Sequence, residues 1–324
     1  QPNLFGKGKS GSLRWDFGPY QNNQTISYTD PGIRGSLVTG SVNLFNARDR
    51  FISFRSGRRR RSGFNLRFGF LLPGARFTRF FTGYGLSRTA LTLKSGEDIS
   101  LFGRPAGTQS TISMGITRST LNHPIFPTVG SRQRVNVELT GGPLGGDGQF
   151  VKTTAEGSWW LPVGSAGGNP DSPGSGVTFA LGMTMRPGMP QGNSEPFPFD
   201  RFWMGGVQFG ERLRGYDETT VTPLGYFKDR SRDINDINRL GEAFLSVSTE
   251  FAIRLGAQMS GAFFLDAGNV WRDAQEIDPT RMFRGAGLGI QLVTPFGPVG
   301  LDYAYGFDKP EPGWQFHFRL GPSL

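Results

Sequence analysis

The sequence predicts an all-β fold, a transmembrane antiparallel β-barrel, and three observations favour it. The 324 residues include 49 glycines and 29 phenylalanines, and glycine alternating with aromatic residues is typical of barrels and propellers. The chain contains no run of about 18 apolar residues, so we expect no transmembrane helix. Its connections alternate between short and long, as the turns and loops on the two sides of an outer-membrane barrel do.

Fourteen segments are predicted to be strands because they alternate in polarity between turns rich in Gly, Pro, Asn and Asp. They are residues 8–17, 22–30, 33–46, 63–72, 76–87, 110–119, 131–141, 149–162, 177–186, 241–254, 257–271, 284–294, 299–306 and 314–320. The connections predicted to be long are 47–62, 88–109, 187–240 and 272–283.

The alternation is clearest near the end of the chain. In the segment 257–271, Phe264 and Asp266 share one face with small residues, which predicts that this face is luminal. In the segment 314–320 the apolar side chains share the face predicted to meet lipid, and they are Trp314, Phe316, Phe318 and Leu320. His317 lies on the opposite face, which is predicted to meet the lumen.

Composition argues against several classes of enzyme. Cysteine is absent, which excludes disulfides and thiolate metal sites. The two histidines are far apart in sequence, which argues against a histidine-rich metal centre. The chain has no P-loop and no Gly-x-Ser-x-Gly motif. We therefore expect a protein that is not an enzyme and needs no cofactor.

The formal net charge is +9, and it is most concentrated in four consecutive arginines, Arg58, Arg59, Arg60 and Arg61. One interpretation is a solvated loop tip, and the other is a contact with lipid phosphates on the outer face. Nucleic-acid binding is not expected, because the surrounding aromatic residues alternate within strands and do not cluster with the arginines.

The longest connection carries the most specific motif. Gly205 and Gly206 are followed by Arg214, Gly215 and Tyr216. Glycine permits a positive φ and a close backbone approach, and arginine can bind a carboxylate in the barrel wall with two hydrogen bonds. The pattern predicts a loop that folds tightly inside the barrel.

Six motifs occur in the order in which a known family has them, and together they cover most of residues 120–321. They are Phe126-Pro127-Thr128-Val129-Gly130-Ser131, the Gly205-Gly206 pair with Arg214-Gly215-Tyr216, Glu250-Phe251, the segment from Phe264 to Trp271, the segment from Gly287 to Ala304, and the segment from Phe316 to Gly321. In this respect the chain resembles the barrel domain of the BamA-type outer-membrane assembly insertases, members of the POTRA-barrel transporter superfamily.

The resemblance implies a barrel of about 16 strands in which the loop arginine, here Arg214, pairs with Glu250 and Asp266. Its register implies that residues 1–324 are the C-terminal barrel domain, and that the first strand, most of the second and the POTRA domains precede Gln1. Compared with the family, the segment 208–211 lengthens the loop, as an insertion would.

The family also implies a lateral seam between the first and last strands, whose residues here are Trp314, Phe316, Phe318, Leu320 and Gly321. Gly321-Pro322 at the end of a short last strand favours a seam that opens, although an ordinary frayed C-terminus fits the same residues.

By resemblance, the function is the folding and insertion of client proteins at this seam. The implied partners are unfolded outer-membrane proteins, periplasmic or lipoprotein accessory subunits, and outer-membrane lipids including lipopolysaccharide. The alternative is a polypeptide translocation pore of the two-partner-secretion type. Both interpretations place the chain in the bacterial outer membrane.

Overall fold

The computed structural model describes most of the chain. The described residues are 4, 6, 8–17, 21–50, 58–92, 106–167, 177–188, 200–208, 210–227, 240–256, 258–294 and 297–320. None of the helices among them is long and apolar enough to cross a membrane.

Fourteen strands form one antiparallel sheet whose spatial order follows the chain, as predicted. They are β1 (Ser10–Phe17), β2 (Gln21–Asp30), β3 (Thr39–Arg50), β4 (Arg58–Leu71), β5 (Thr78–Thr92), β6 (Ala106–Ser119), β7 (Gly130–Thr140), β8 (Phe150–Ala166), β9 (Val177–Pro187), β12 (Ala243–Arg254), β13 (Met259–Trp271), β14 (Phe283–Thr294), β15 (Gly297–Gly306) and β16 (Gly313–Leu320). A separate hairpin, β10 (Val221–Thr222) and β11 (Gly225–Tyr226), lies in the long loop between β9 and β12.

The sheet is an antiparallel β-barrel. Strands that are neighbours in the sheet also follow one another in the chain, except that the loop hairpin separates β9 from β12 in sequence. β1 and β16 are the two terminal strands of the sheet as the described ranges define it.

Side chains alternate between the two faces as the sequence predicts. On β13, Asp266 and Phe264 are buried on the inner face, whereas Phe263 and Leu265 are 55% and 62% exposed on the outer face. Since large apolar side chains on several strands stand exposed on the outer face, that face is suited to contact lipid.

Several predicted boundaries were wrong; for example, β5 continues to Thr92 and β6 begins at Ala106, both inside the predicted long loop 88–109. The predicted strand 33–46 begins only at Thr39, because a 3₁₀ turn at Ile33–Gly35 precedes it. The predicted long loop 47–62 is mostly strand, because β3 continues to Arg50 and β4 begins at Arg58. The paired hairpin satisfies backbone hydrogen bonds that a loop would leave to water.

The four arginines therefore lie on β4, and the prediction of a loop tip was wrong. A strand places consecutive residues on opposite faces, so the outer face receives Arg60 but not Arg59 or Arg61. The Arg61 guanidinium lies 5.3 Å from the centre of the Phe45 ring and borders the lumen. The side chain of Arg58 lies outside the described residues, and a contact with lipid phosphates on the outer face remains a prediction for Arg60.

Candidate functional site: the luminal loop and the edge of β16

The connection between β9 and β12 folds back into the barrel. Its apolar residues Met204, Leu213 and Tyr216 are 0% exposed. They form one cluster with Phe244 of β12 and Val270 of β13. Burial of apolar surface against the wall thus fixes the described part of the loop inside the lumen.

The glycines of the loop occupy positions that other residues cannot. Gly206 has φ +72°, and a Cβ there would collide with the Glu218 carboxylate. Gly215 has φ +91°, and its Cβ would lie 2.8 Å from the backbone nitrogen of Gly306 on β15. The motif therefore uses glycine both for backbone conformation and for close approach to the wall.

Arg214 lies at the centre of the site and is 2% exposed. Its Nε donates to Asp266 Oδ2 at 2.6 Å, and its Nη2 donates to Asp266 Oδ1 at 2.7 Å. Nη2 also lies 2.8 Å from Glu250 Oε1. The structure thus places Arg214 against both carboxylates that the sequence analysis named.

Further groups enclose this pair. Ser248 Oγ donates to Asp266 Oδ1 at 2.6 Å and accepts from Arg214 Nη2 at 3.0 Å. The guanidinium carbon lies 3.3 Å from the centre of the Phe264 ring, a cation–π contact. Together, these contacts hold the guanidinium in one orientation.

The charges in this enclosure stabilise one another. Burial disfavours the charged form of Arg214, but the carboxylates of Asp266 and Glu250 outweigh it and raise the pKa of the guanidinium above its ordinary value. Arg214 thus stays charged wherever the barrel is folded.

The residues after Arg214 contact the last strands of the sheet. The Gly215 N–H donates to His317 Nε2 on β16 at 2.9 Å, and Gln315 Nε2 donates to Asp217 Oδ1 at 2.5 Å. The Tyr216 hydroxyl donates to the Arg284 carbonyl on β14 at 2.7 Å. Burial raises the pKa of Tyr216 to about 12, so the phenol stays protonated as this bond requires.

The direction of the backbone groups on β16 follows from the neighbouring pair of strands. Phe307 N–H donates to the Arg284 carbonyl, and hydrogen-bonded and non-hydrogen-bonded pairs alternate along antiparallel strands. When this alternation is continued along β15, the backbone N–H and carbonyl of Asp302 point to β16 and bond with His317. The backbone groups of Phe316 and Phe318 therefore point away from β15.

The predicted seam residues lie on this terminal strand. Trp314, Phe316 and Phe318 point outward and are 55%, 61% and 42% exposed. The side chain of Leu320 and all of Gly321 lie outside the described residues. The structure thus shows an apolar outer face beside backbone groups that point away from β15.

The sequence profile of the Omp85 superfamily domain matches residues 3–323. The chain belongs to the Omp85 superfamily. Two relatives carry the name outer membrane protein assembly factor BamA. The one from Nitratidesulfovibrio vulgaris is 24% identical and the match covers 98% of this chain; the one from Neisseria meningitidis serogroup B is 25% identical and the match covers 100%. The matches span only 38% and 44% of those relatives' own lengths.

Solved structures agree with the Omp85 fold. The crystal structure of Haemophilus ducreyi BamA lacking POTRA domains 1–3 has a TM-score of 0.74 at 20% identity, over 98% of this chain and 65% of that one. CdiB from Acinetobacter baumannii has a TM-score of 0.63 at 15% identity, over 98% and 54%. This Omp85 chain is a BamA-type β-barrel of the bacterial outer membrane.

Sequence reasoning missed part of the site. Ser248 and Asp217 carry no distinctive motif, and only the register of their strand or the path of the loop brings them to their partners. His317 offered a signal, since the alternation of β16 predicted that it faces the lumen. Its bond to the Gly215 backbone nonetheless required the folded loop.

Proposed function

We propose that this chain is the barrel of an assembly factor that folds and inserts client outer-membrane proteins at the seam between its first and last strands. The observation that carries the proposal is the position of β16 at the end of the sheet, where the backbone groups of Phe316 and Phe318 point away from β15. Such an edge accepts an extended chain by β-augmentation. The names of the BamA relatives support the same function.

The clients would be unfolded outer-membrane proteins, delivered with the help of periplasmic or lipoprotein accessory subunits. Outer-membrane lipids, including lipopolysaccharide, would surround the exposed apolar face. No cofactor is needed, since client folding and apolar burial supply the free energy.

A proline substitution at the edge tests the proposal. Phe316→Pro removes an N–H that points away from β15, on the side where the seam would lie, and proline is tolerated on edge strands. In proteoliposomes, we expect the parent protein to accelerate the folding of a radiolabelled client barrel, followed by its heat-modifiable mobility on gels. Phe316→Pro should lose most of this acceleration, whereas Phe316→Leu, which keeps the N–H, should retain it. Equal activity of both variants would contradict templating at this edge.

A translocation pore is the second candidate. The loop fills one side of the lumen, but a cavity of about 790 Å³ remains, bordered by polar residues and by Arg61, Arg67 and Arg134. The fold shared with CdiB is compatible with this function. Single-channel conductance that rises sharply when the loop is released, without any client folding, would favour the pore.

A further inference from the structure

The connection 120–129 between β6 and β7 folds over one end of the lumen. Phe126 near its tip is buried, and it borders a cavity of about 90 Å³ together with Arg212 and Arg214 of the long loop. The Phe126 carbonyl accepts from Arg254 Nη1 on β12 at 3.5 Å. The connection thus covers the arginine site from the end of the barrel opposite to the one at which the long loop leaves β9.

That end of the barrel is the periplasmic one. In an antiparallel sheet whose strands follow the chain, connections alternate between the two ends, so 120–129 shares its end with the short connections 72–77 and 255–258. Short turns face the periplasm in outer-membrane barrels. The connection 120–129 therefore lies between the arginine site and the periplasm.

An imidazole shapes the tip of this connection. His123 Nδ1 accepts from the backbone N–H of Ile125 at 3.2 Å and from that of Phe126 at 2.9 Å. The rings of His123 and Phe126 stack, with their centres 6.0 Å apart. A ring nitrogen that accepts a hydrogen bond carries no proton, so the folded tip requires the neutral imidazole.

The base of the connection is held separately. Asn122 Oδ1 accepts from the backbone N–H of Thr128 at 3.0 Å and from that of Val129 at 3.2 Å. An amide does not titrate near neutral pH. A change in the charge of His123 therefore acts on the tip and leaves the bonds at the base in place.

The surroundings of His123 oppose its protonation. Burial and the charge of Arg254, which faces the ring from β12, lower the pKa of His123 from its usual 6.5. The charged groups that line the cavity behind Phe126 are Arg132, Arg212, Arg214, Arg319, Glu250 and Asp302. The neutral imidazole thus stabilises the tip fully above a pH of about 6.5, and this contribution is lost as the pH falls through the lowered pKa.

We propose that residues 123–126 form a stopper, which closes the periplasmic end of the lumen while His123 is neutral and opens when its imidazole is protonated. A proton on Nδ1 faces two backbone donors, so the bonds to Ile125 and Phe126 break and the Phe126 ring leaves the lumen. The stopper does not depend on the proposed function, because it concerns access to the lumen and suits an insertase and a pore equally.

Labelling of a cysteine behind the stopper tests it. The chain has no cysteine and Ala252 of β12 lines the cavity, so Ala252→Cys places a single thiol there. In lipid nanodiscs, its rate of reaction with a charged maleimide is divided by that of Arg76→Cys, on an exposed turn at the same end, to correct for the pH dependence of the thiol. Between about pH 7.5 and about pH 5.5 this ratio should rise severalfold, with a limit of about tenfold for one proton taken up one unit below the ordinary pKa.

Two variants of His123, made in the Ala252→Cys protein, isolate the imidazole. His123→Asn keeps an acceptor for the backbone two residues on but does not titrate, so its ratio should stay low at both pH values. His123→Leu has no acceptor and should be labelled faster than the parent at both. Trypsin resistance of the long loop checks in each variant that the barrel and the Arg214 contacts persist.

A third variant separates His123 from another group that titrates in this range. Asp200→Asn removes a carboxyl whose pKa is about 6, and it should keep the response of the parent. A rise in the ratio that His123→Asn abolishes and Asp200→Asn keeps would support the stopper.

Three results would overturn the proposal. The first is a ratio in the parent that does not change with pH. The second is an equal rise in His123→Asn, which would assign the response to another group such as His317. The third is equal labelling of His123→Leu and the parent at about pH 7.5, which would show that the imidazole does not hold the tip.

Discussion

Arg214 and Asp266 form a buried two-point ion pair, with Nε on Oδ2 at 2.6 Å and Nη2 on Oδ1 at 2.7 Å. One partner belongs to the loop and the other to the wall of the barrel. Removing one partner of such a pair leaves an uncompensated charge in a buried place. The position of the loop is therefore tied to this pair.

Arg214→Ala is expected to destabilise the loop by about 3–5 kcal/mol, because Asp266 and Glu250 lose their shared cation. The loop should become sensitive to trypsin, and client folding should fall. Arg214→Lys should recover only part of the effect, since an ammonium lacks the planar fork. The matched control is Arg281→Ala, because Arg281 is 83% exposed and its ion pair is with Asp278, outside the arginine site. A loop that resists trypsin equally in Arg214→Ala and the parent would show that Arg214 does not hold the loop in place.

Gly215→Ala is expected to destabilise the folded loop by about 1–3 kcal/mol from its backbone conformation alone. The added Cβ also meets the backbone of β15, so the loop cannot reseat without moving. The free energy of unfolding in urea, measured in lipid vesicles, checks this. Gly167→Ala is the control, since Gly167 also has a positive φ but its Cβ would enter open space. Equal losses in the two variants would show that the close approach at Gly215 contributes nothing.

Tyr216→Phe is expected to cost about 1 kcal/mol, because the Arg284 carbonyl loses one of its two donors and keeps the Phe307 N–H. The Asp308 N–H, which donates to the same hydroxyl at 3.2 Å, loses its acceptor. Tyr303→Phe serves as the control, since Tyr303 stands 48% exposed on the outer face. Urea unfolding of both variants gives the comparison. If the free energy of unfolding of Tyr216→Phe equalled that of the parent, water would have replaced the hydroxyl.

Asp200 gives a prediction for pH. Burial raises the pKa of its carboxyl to about 6, although Gln109 Nε2 donates to it at 2.5 Å. The folded protein thus holds this proton to a higher pH than the unfolded chain does. Its contribution to stability is complete below the ordinary pKa of 3.8 and is lost as the pH rises through about 6.

Asp200→Asn, which stays neutral, should therefore gain stability over the parent as the pH rises from 4 to 7, by up to about 3 kcal/mol. Asp278→Asn should show the opposite sign, because hydrogen bonds from Thr280 lower the pKa of Asp278. There the parent should be the more stable protein at neutral pH and lose its advantage on acidification. Urea titrations at several pH values measure the free energy of unfolding of both variants. If the difference between Asp200→Asn and the parent did not change with pH, the raised pKa of Asp200 would be contradicted.

Much of the fold could be predicted because its causes are local. Alternation with a period of two fixes which face each residue takes, and this pattern alone predicts that Asp266 and His317 face the lumen, where the barrel holds them. The loop could also be identified from its glycines, because few other residues tolerate the positive φ of Gly206 and Gly215. Ends of strands were harder to predict, because β3 and β4 are extended by pairing with each other.

The sequence by itself determined the barrel and its inward and outward faces, and the resemblance to the family named the two carboxylate partners of the arginine. Only the tertiary structure decided how Arg214 divides its donors between Asp266, Ser248 and Glu250. It alone decided that Gln208 reaches Phe318. The physical reason is that alternation is a property of each strand, whereas these contacts depend on where a long loop returns to the wall and on the register between strands far apart in sequence.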